Sequence, residues 1–411
     1  MSVFLLATLD TKGWEAAFVR DRLRALGLDV VVVDTGCLGD PQVDGDVSRE
    51  TVFHAAGTPL ETVRARNDRG EAVRCAARGA ATVVERAFHD GQVDGVLGLG
   101  GSAGTTIGTT AMRRLPLGVP KLMVSTLASG QVRQYVGDKD IVMLNSVVDI
   151  AGLNRISRAV LAEAAAAVAG MVNYRLPDAP AGDKPLIAAT MFGVTTPCVQ
   201  RARELLELAG YEVLIFHATG NGGQAMESLI AEGLITGVLD ITTTELADEL
   251  VGGVLSAGPD RLTAAARSGV PQVVSVGATD MVNFGPPETV PEKFRARVFH
   301  QHNPTVTLMR TTPEENSRLG EEIARKVRAA RGPAAIVLPL RGVSAIDKPG
   351  QPFDDPAARE ALFSAIRAHH AGAELIELDL HINDPAFAEA AANWLLRLIA
   401  QTTPRNFSPH P

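Results

Sequence analysis

The sequence predicts an α/β protein of two similar halves, each with a mainly parallel sheet, and a cleft where the halves face each other. Short apolar runs alternate with helix-period segments along the chain, as in Val3–Leu9 followed by Trp14–Leu26. A proline-rich break, Leu176 to Pro185, separates residues 1–180 from 185–402. Beyond the break the pattern begins again in the same order. ATLDTK at Ala7 is answered by AATMFGVTTP at Ala188, and LRALGLDVVVVDTG at Leu23 by LELAGYEVLIFHATG at Leu206. VDGVLGLGGS at Val93 is answered by ITGVLDITTTE at Ile235, and LGVPKLMVST at Leu117 by SGVPQVVSVGATD at Ser268. Four weak matches in one order make a repeat.

Each element has a local reason. Gly27 ends the first helix, and Val30–Val33 forms a second strand, completing a βαβ unit. Asp40 to Gly57 is polar and broken and reads as a long surface loop, whereas Arg64 to His89 is alanine-rich and reads as helical apart from Gly70 and Gly79. Lys121–Ser125 is a strand entering a polar loop, Thr126–Asp138, and Arg155–Tyr174 is a long helix. In the second half, Thr312-Pro313-Glu314-Glu315 is a capping box with proline at N1, opening a helix to Arg328. Ala335–Leu338 and Glu374–Leu378 are strands, and Asp355-Pro356 and Asp384-Pro385 open helices. Thr402 to Pro411 reads as a frayed tail.

Composition bounds the function. With 411 residues, 46% hydrophobic and 21% charged, the chain has material for two or three globular units. A net charge of −8 and only 4% aromatic residues argue against nucleic-acid binding and against an acidic membrane surface. Cys37, Cys75 and Cys198 are far apart and odd in number, which fits a reduced, cytoplasmic protein rather than a disulfide framework. MSVFLLATLDTKG lacks a basic n-region, and no apolar run reaches the roughly 20 residues of a membrane span.

Chemistry is expected at the carboxyl ends of the strands. The leading candidate is the strand, glycine turn and helix start at Gly98, Gly100, Gly101, Ser102, Gly104, Thr105 and Thr106. Such a turn offers amide N–H groups to a phosphate, or needs glycine for geometry alone. Gly104 is followed by Thr105 rather than lysine, which excludes a Walker A loop. Gly98-x-Gly100-x-x-Ala103 fits the dinucleotide fingerprint, but no acid ends the following strand, so a nicotinamide site is disfavoured. Asp10, Thr11 and Lys12 stand at the first strand end, and Ser129 and Gly130 lie in STLASG at another. HATGNGG, from His217, repeats the glycine logic in the second half.

Three residues are acid/base candidates for an enzyme acting on a small phosphorylated or carboxylated metabolite in the cleft: His217, Glu245 and His302. Each has a plainer reading. His217 could hydrogen-bond locally, and Glu245 closes a capping box with Thr242. His302, beside His300 in HQHNP, would need a third ligand to hold a metal. Glu227 and Asp248 read as solvated helix faces, and His381 as structural.

GLGGSAGT, AMRRLPLGVPK, VSTLASG, TMFGVTTP, HATGNGG, LDITTTELADELVGG, HNPTVTLMRTT and HINDPAFA together resemble the Tm-one-like ATP-binding domain family. That family is named for a tomato protein conferring resistance to tomato mosaic virus, and the resemblance runs from about Ala7 to Phe387. It implies two Rossmann-like lobes, ATP with magnesium, and a homodimer. It also implies a protein partner, through an ATP-stabilised surface or a separate TIM-barrel protein. Ala103 stands where relatives often have glycine. On this resemblance the glycine turn holds the ATP phosphates, Lys12 offsets their charge, and Asp10 holds magnesium.

Overall fold

The alternation along Ser2–Ala7 already sorts two faces: Phe4 and Leu6 pack to one side of the strand, Val3, Leu5 and Ala7 to the other. In the computed structural model, which describes residues 1–174 and 183–402, this strand is β1, at the heart of the first of two compact units, Met1–Pro180 and Ala181–Pro411. Residues 175–182 of the proline-rich break and 403–411 of the tail lie outside the described residues.

The first unit continues with α1 (Leu9–Ala25), β2 (Asp29–Asp34), α2 (Arg49–Ala55), α3 (Leu60–Arg66), α4 (Arg69–His89), β3 (Gly95–Gly100) and α5 (Ser102–Met112). It closes with β4 (Lys121–Ser125), α6 (Arg133–Val136), β5 (Val142–Asn145) and α7 (Arg155–Asn173). All five strands are parallel, in the order β2-β1-β3-β4-β5. Helices α2 to α5 cover one face of the sheet, and α1 and α7 the other. By length and composition α7 could cross a membrane, but Leu161, Ala165, Val168 and Val172 are buried against the sheet.

Three expectations are corrected here. The polar stretch from Asp40 contains a helix, because the Ser48 hydroxyl accepts from Thr51 N at 3.3 Å and Phe53 buries in the core. The alanine-rich stretch runs helical through Gly70 and Gly79 and breaks instead at Asn67, which takes a left-handed φ of 50° between α3 and α4, a conformation asparagine tolerates. The loop after β4 contains α6 and is followed by β5, an edge strand too short and exposed to show a pattern.

The second unit begins with β6 (Leu186–Met191), α8 (Thr196–Leu208), β7 (Glu212–His217), α9 (Asn221–Ala231), β8 (Gly237–Thr242) and α10 (Thr244–Val251). Then come α11 (Ala264–Ser268), β9 (Gln272–Gly277), β10 (Met281–Phe284), β11 (Phe299–Asn303) and β12 (Val306–Arg310). It ends with α12 (Pro313–Arg328), β13 (Ala334–Pro339), α13 (Pro356–His369), β14 (Glu374–Leu378) and α14 (Pro385–Ala400). The main sheet runs β14-β13-β9-β8-β6-β7, all parallel. With β6 to β9 in the places of β1 to β4, this is the first unit's order with one strand added. Both units are doubly wound and Rossmann-like, and the sequence repeat is a structural one. An antiparallel sheet, β10-β12-β11, is an insertion that no turn signal announced.

Candidate functional site

In each sheet the order of strand addition reverses between the first and third strands of the unit. At such a point the loops leaving the two strand ends diverge and open a crevice. In the first unit these connections are Thr8 and the first turn of α1 after β1, and Gly101 and the first turn of α5 after β3. The glycines of the second loop divide into two kinds. A Cβ at Gly98 would come within 2.5 Å of Met123 Sδ, at Gly100 within 2.6 Å of Gly104 Cα, and at Gly104 within 2.8 Å of the Leu99 carbonyl. These three let α5 press onto β3 and β4. Gly101 is different, with nothing nearer than Thr126 Oγ1 at 3.6 Å. It is the N-cap of α5 and supplies no side-chain acceptor, and the first amide with a helical acceptor is Thr105 N, to Gly101 O at 2.8 Å. The amides of Ser102, Ala103 and Gly104 point out of the helix start.

Thr105 is corrected as a ligand group: it is fully buried, its hydroxyl 2.6 Å from Ser125 Oγ. Thr106 donates its hydroxyl back to Ser102 O at 2.9 Å.

Beside this helix start lies a cavity of about 210 Å³, reached by Ala103 and Ile107 of α5, Asp10 and Thr11 of α1, and Thr35 and Cys37 after β2. Val63, Ala72, Val73 and Ala76 of α3 and α4 give it an apolar wall; Arg64, Asn67 and Arg69 are also on its lining. The break at Asn67 therefore shapes the cavity. The loop after β2 is pinned from three sides. Asp34 accepts from Leu9 N at 3.1 Å and Gly36 N at 2.8 Å, and pairs with Arg49 Nε at 2.7 Å. Asp10 Oδ2 accepts from Leu38 N at 3.1 Å and Gly39 N at 3.2 Å, while Arg64 Nε donates to Cys37 O at 2.6 Å. Arg49 also bonds Gly39 O, yet its buried Nη2 has no acceptor among the described residues. A Cβ on Gly36 would sit 2.9 Å from that nitrogen and 2.8 Å from Asp10 Oδ1.

Of the sequence candidates, Asp10 and Thr11 line this cavity, with Gly101 and Ser102 at the adjoining helix start. Lys12 has a non-helical φ of −130° and does not line it. Ser129 and Gly130 are exposed in the turn after β4, away from the lining. Thr35, Cys37, Arg64, Asn67 and Arg69 were missed. Only DTG at the end of β2, a polar strand end like the others, could have pointed to the first two.

The equivalent crevice of the second unit is filled. Arg261, fully buried, places Nη1 and Nη2 2.6 and 2.7 Å from the two oxygens of Asp240, and Nε 2.6 Å from Glu245 Oε2. Glu227 approaches Nη1 at 3.3 Å, and Thr190 donates to Asp240 Oδ1 at 2.7 Å. Next to Arg261, Leu262 carries a φ of 66°, a strained conformation for a branched side chain. Glu245 Oε1 accepts from Gly220 N at 2.7 Å and Gly223 N at 3.1 Å. HATGNGG is thus no open cradle, because a carboxylate of the same chain occupies its amides. Glu245 closes no capping box either, since Thr242 donates its hydroxyl to Thr190 O at 3.2 Å. Burial pushes the Glu245 carboxyl pKa up, against the pull of Arg261.

Glu227 and Asp248 are also corrected. Glu227 accepts from Leu262 N, Thr263 N and Ala264 N at 2.5, 3.1 and 2.6 Å and so caps α11. Asp248, fully buried, holds Asn283 N at 3.0 Å, Asn283 Nδ2 at 2.7 Å and Leu255 N at 3.2 Å, and burial lifts its pKa to about 7.

No contact unites the acid/base candidates. His217 is exposed at the end of edge strand β7, and His302 is exposed on β11, an edge of the antiparallel sheet. His300 stacks edge-on with Phe353 at 6.3 Å. Among the described residues no group of three or more His, Cys, Asp or Glu could hold a metal. His381 is structural: Nδ1 accepts from Asn383 N at 3.1 Å, which leaves the proton on Nε2 to bond Ser344 O at 2.8 Å.

Two family models cover the chain, described as the N-terminal and C-terminal domains of "Uncharacterised protein family (UPF0261)", at residues 1–177 and 184–399. The chain belongs to the UPF0261 family. A UPF0261 protein of Clostridium tetani is 49% identical over 399 residues, covering 97% of this chain and 98% of that one. The tomato "ToMV resistance protein Tm-1(GCR237)" (Solanum lycopersicum) is 41% identical over 418 residues, covering 96% of this chain and 55% of the tomato chain. The Tm-one-like resemblance and UPF0261 are one family. Among solved structures, the UDP-N-acetylglucosamine 2-epimerase of Rickettsia bellii is 9% identical, covering 97% of this chain and 96% of that one, with a TM-score of 0.23. A score that low carries no argument.

Proposed function

We propose that the first unit binds ATP with magnesium at its strand-order switch point. One observation carries this reading: an apolar cavity and an uncapped helix start adjoin at the same crevice. At about 210 Å³ the cavity is smaller than the roughly 300–1,000 Å³ of a complete small-molecule site. It suits the base and sugar, leaving the phosphates outside, over the amides of Ser102, Ala103 and Gly104, where the helix dipole favours negative charge. Of the charged residues on the lining, Arg64 and Arg69 would face phosphate oxygens and Asp10 the metal, with Asp68 beside them.

The residues fit the metal. Asp10 Oδ2 is held by two amides while Oδ1 has no hydrogen bond among the described residues, and Mg²⁺ needs only one or two carboxylates besides phosphate oxygens. Lys12, at the start of α1, would offset phosphate charge. We assign the protein to the cytoplasm, since all three cysteines are free, Cys75 and Cys198 being buried. A homodimer, and a protein partner that the ATP-bound form favours, accompany this reading through the family resemblance alone.

Calorimetric titration with magnesium-ATP tests it. The expectation is one site per chain, weakened at least about tenfold by Gly101→Val, which has room to fold, and by Val73→Trp, which fills the cavity. Bound nucleotide should also slow alkylation of Cys37, the one cysteine that is not buried. No heat with the wild type, or equal affinity in both variants, overturns the assignment.

A further inference from the structure

A second pocket, of about 240 Å³, lies along another side of α5 and is lined by Thr106, Thr109, Thr110, Arg113, Gln134 and Tyr135. Arg113, half-buried at the end of α5, donates through Nη1 to Gln134 O at 3.4 Å and to Tyr135 O, and through Nη2 to Thr110 Oγ1 at 3.2 Å. A guanidinium has five N–H donors, so Nε–H and a second Nη2–H have no acceptors among the described residues. Among the described residues no carboxylate pairs with it within 4.0 Å, and Gly137, with a φ of 61°, packs against its stem. The positive charge is therefore partly desolvated and lacks a direct ion pair, in a space also edged by threonine side chains, an amide and a phenol. Burial pulls the Arg113 pKa down, with Asp138 acting the other way.

We propose that this pocket is an oxyanion site, in which Arg113 grips a small carboxylate or phosphate group with Tyr135 beside it. Paired N–H groups of arginine match the two oxygens of either group, and such charge-assisted bonds are about twice as strong as neutral ones. The site is separate from the cavity: Ala103 and Ile107 face the cavity, while Thr106, Thr109 and Thr110 face the pocket. Thr106 is four residues beyond Ser102, about 6 Å along the helix, which is near enough for two ligands to sit side by side. The pocket would thus take the anionic partner of whatever occupies the helix start.

The test is calorimetric titration of the full chain with sodium phosphate and, separately, sodium acetate, at constant ionic strength. At least one anion should bind, and Arg113→Gln should weaken it by about tenfold or more while leaving magnesium-ATP affinity unchanged. Heat with only one of the two anions assigns its class to the site. No heat with either, equal affinity in Arg113→Gln, or an equal loss of ATP and anion binding overturns a separate oxyanion site. If Arg113→Gln does not fold, Arg113→Lys and Tyr135→Phe decide: each should weaken the anion a few-fold, and unchanged affinity in both overturns the proposal. The probe is an anion alone, so its failure leaves the ATP reading standing, and the absence of ATP binding leaves this one standing.

Discussion

The carboxyl ends of β3 and β8 hold the same position in two sheets of the same strand order, yet one borders a cavity and the other is plugged. After β3, glycine at the N-cap leaves helix amides without partners. After β8, Glu245 reaches the amides of Gly220 and Gly223, and Arg261 ties it to Asp240. The fold supplies the crevice in both units. What fills it is decided by a few charged side chains, so a repeated fold does not imply a repeated site.

The largest effect expected from this contrast is on stability. Arg261→Met strands Asp240 and Glu245 in the interior, and breaking a buried pair from one side costs about 3–5 kcal/mol. Denaturant unfolding should show this loss, while magnesium-ATP binding persists under native conditions. A loss under about 1 kcal/mol would mean that the plug is not structural.

The next effect is a pH dependence belonging to the second unit. Asp248 has its pKa lifted to about 7 by burial, well above its unfolded value. The native state then holds a proton that the unfolded chain has released, so this group's contribution is full at acid pH and is lost as pH rises through about 7. The slope is at most roughly 1.4 kcal/mol per pH unit. Unfolding midpoints measured from pH 5 to 8 should fall with pH, and Asp248→Asn should lessen the fall, the remainder belonging to Asp280, whose pKa burial also lifts to about 7. A parallel decline in both proteins would place the titrating group elsewhere.

The smallest effect returns to the open side. Ser48→Ala removes the cap of α2, whose Val52 carbonyl lies against Gly79 of α4, the helix carrying part of the cavity wall. It should cost about 1 kcal/mol in thermal unfolding. No change would detach α2 from the support of the cavity.

Much of this architecture was legible before any coordinates. The buried strands β1, β3 and β4, the capping box at Thr312, and the proline-started helices at Pro356 and Pro385 carry their signals within a few residues. The repeat was legible because equivalent strands bury equivalent apolar runs. Elements held by contacts from elsewhere were not. Edge strand β5 has little buried surface to impose a pattern, and β10 is apolar through packing under Leu246, Leu319 and Met309. The same holds within the site. Gly101 and Asp10 announce themselves by position at strand ends, whereas Arg64 and Asn67 matter only because α3 folds over the opening.

The residue pattern by itself determined the α/β class, the two repeated halves and the glycine turn, since periodicity and turn chemistry act over a few neighbouring residues. Only the tertiary structure decided that Gly98, Gly100 and Gly104 serve packing and that Gly101 leaves amides free. It also decided that Glu245 closes the matching turn in the second unit. Arg261 meets Glu245 across 16 residues and Asp240 across 21, and Glu245 meets Gly220 across 25. Charges pair in the interior with whatever the fold brings to them, and no local spacing encodes that choice.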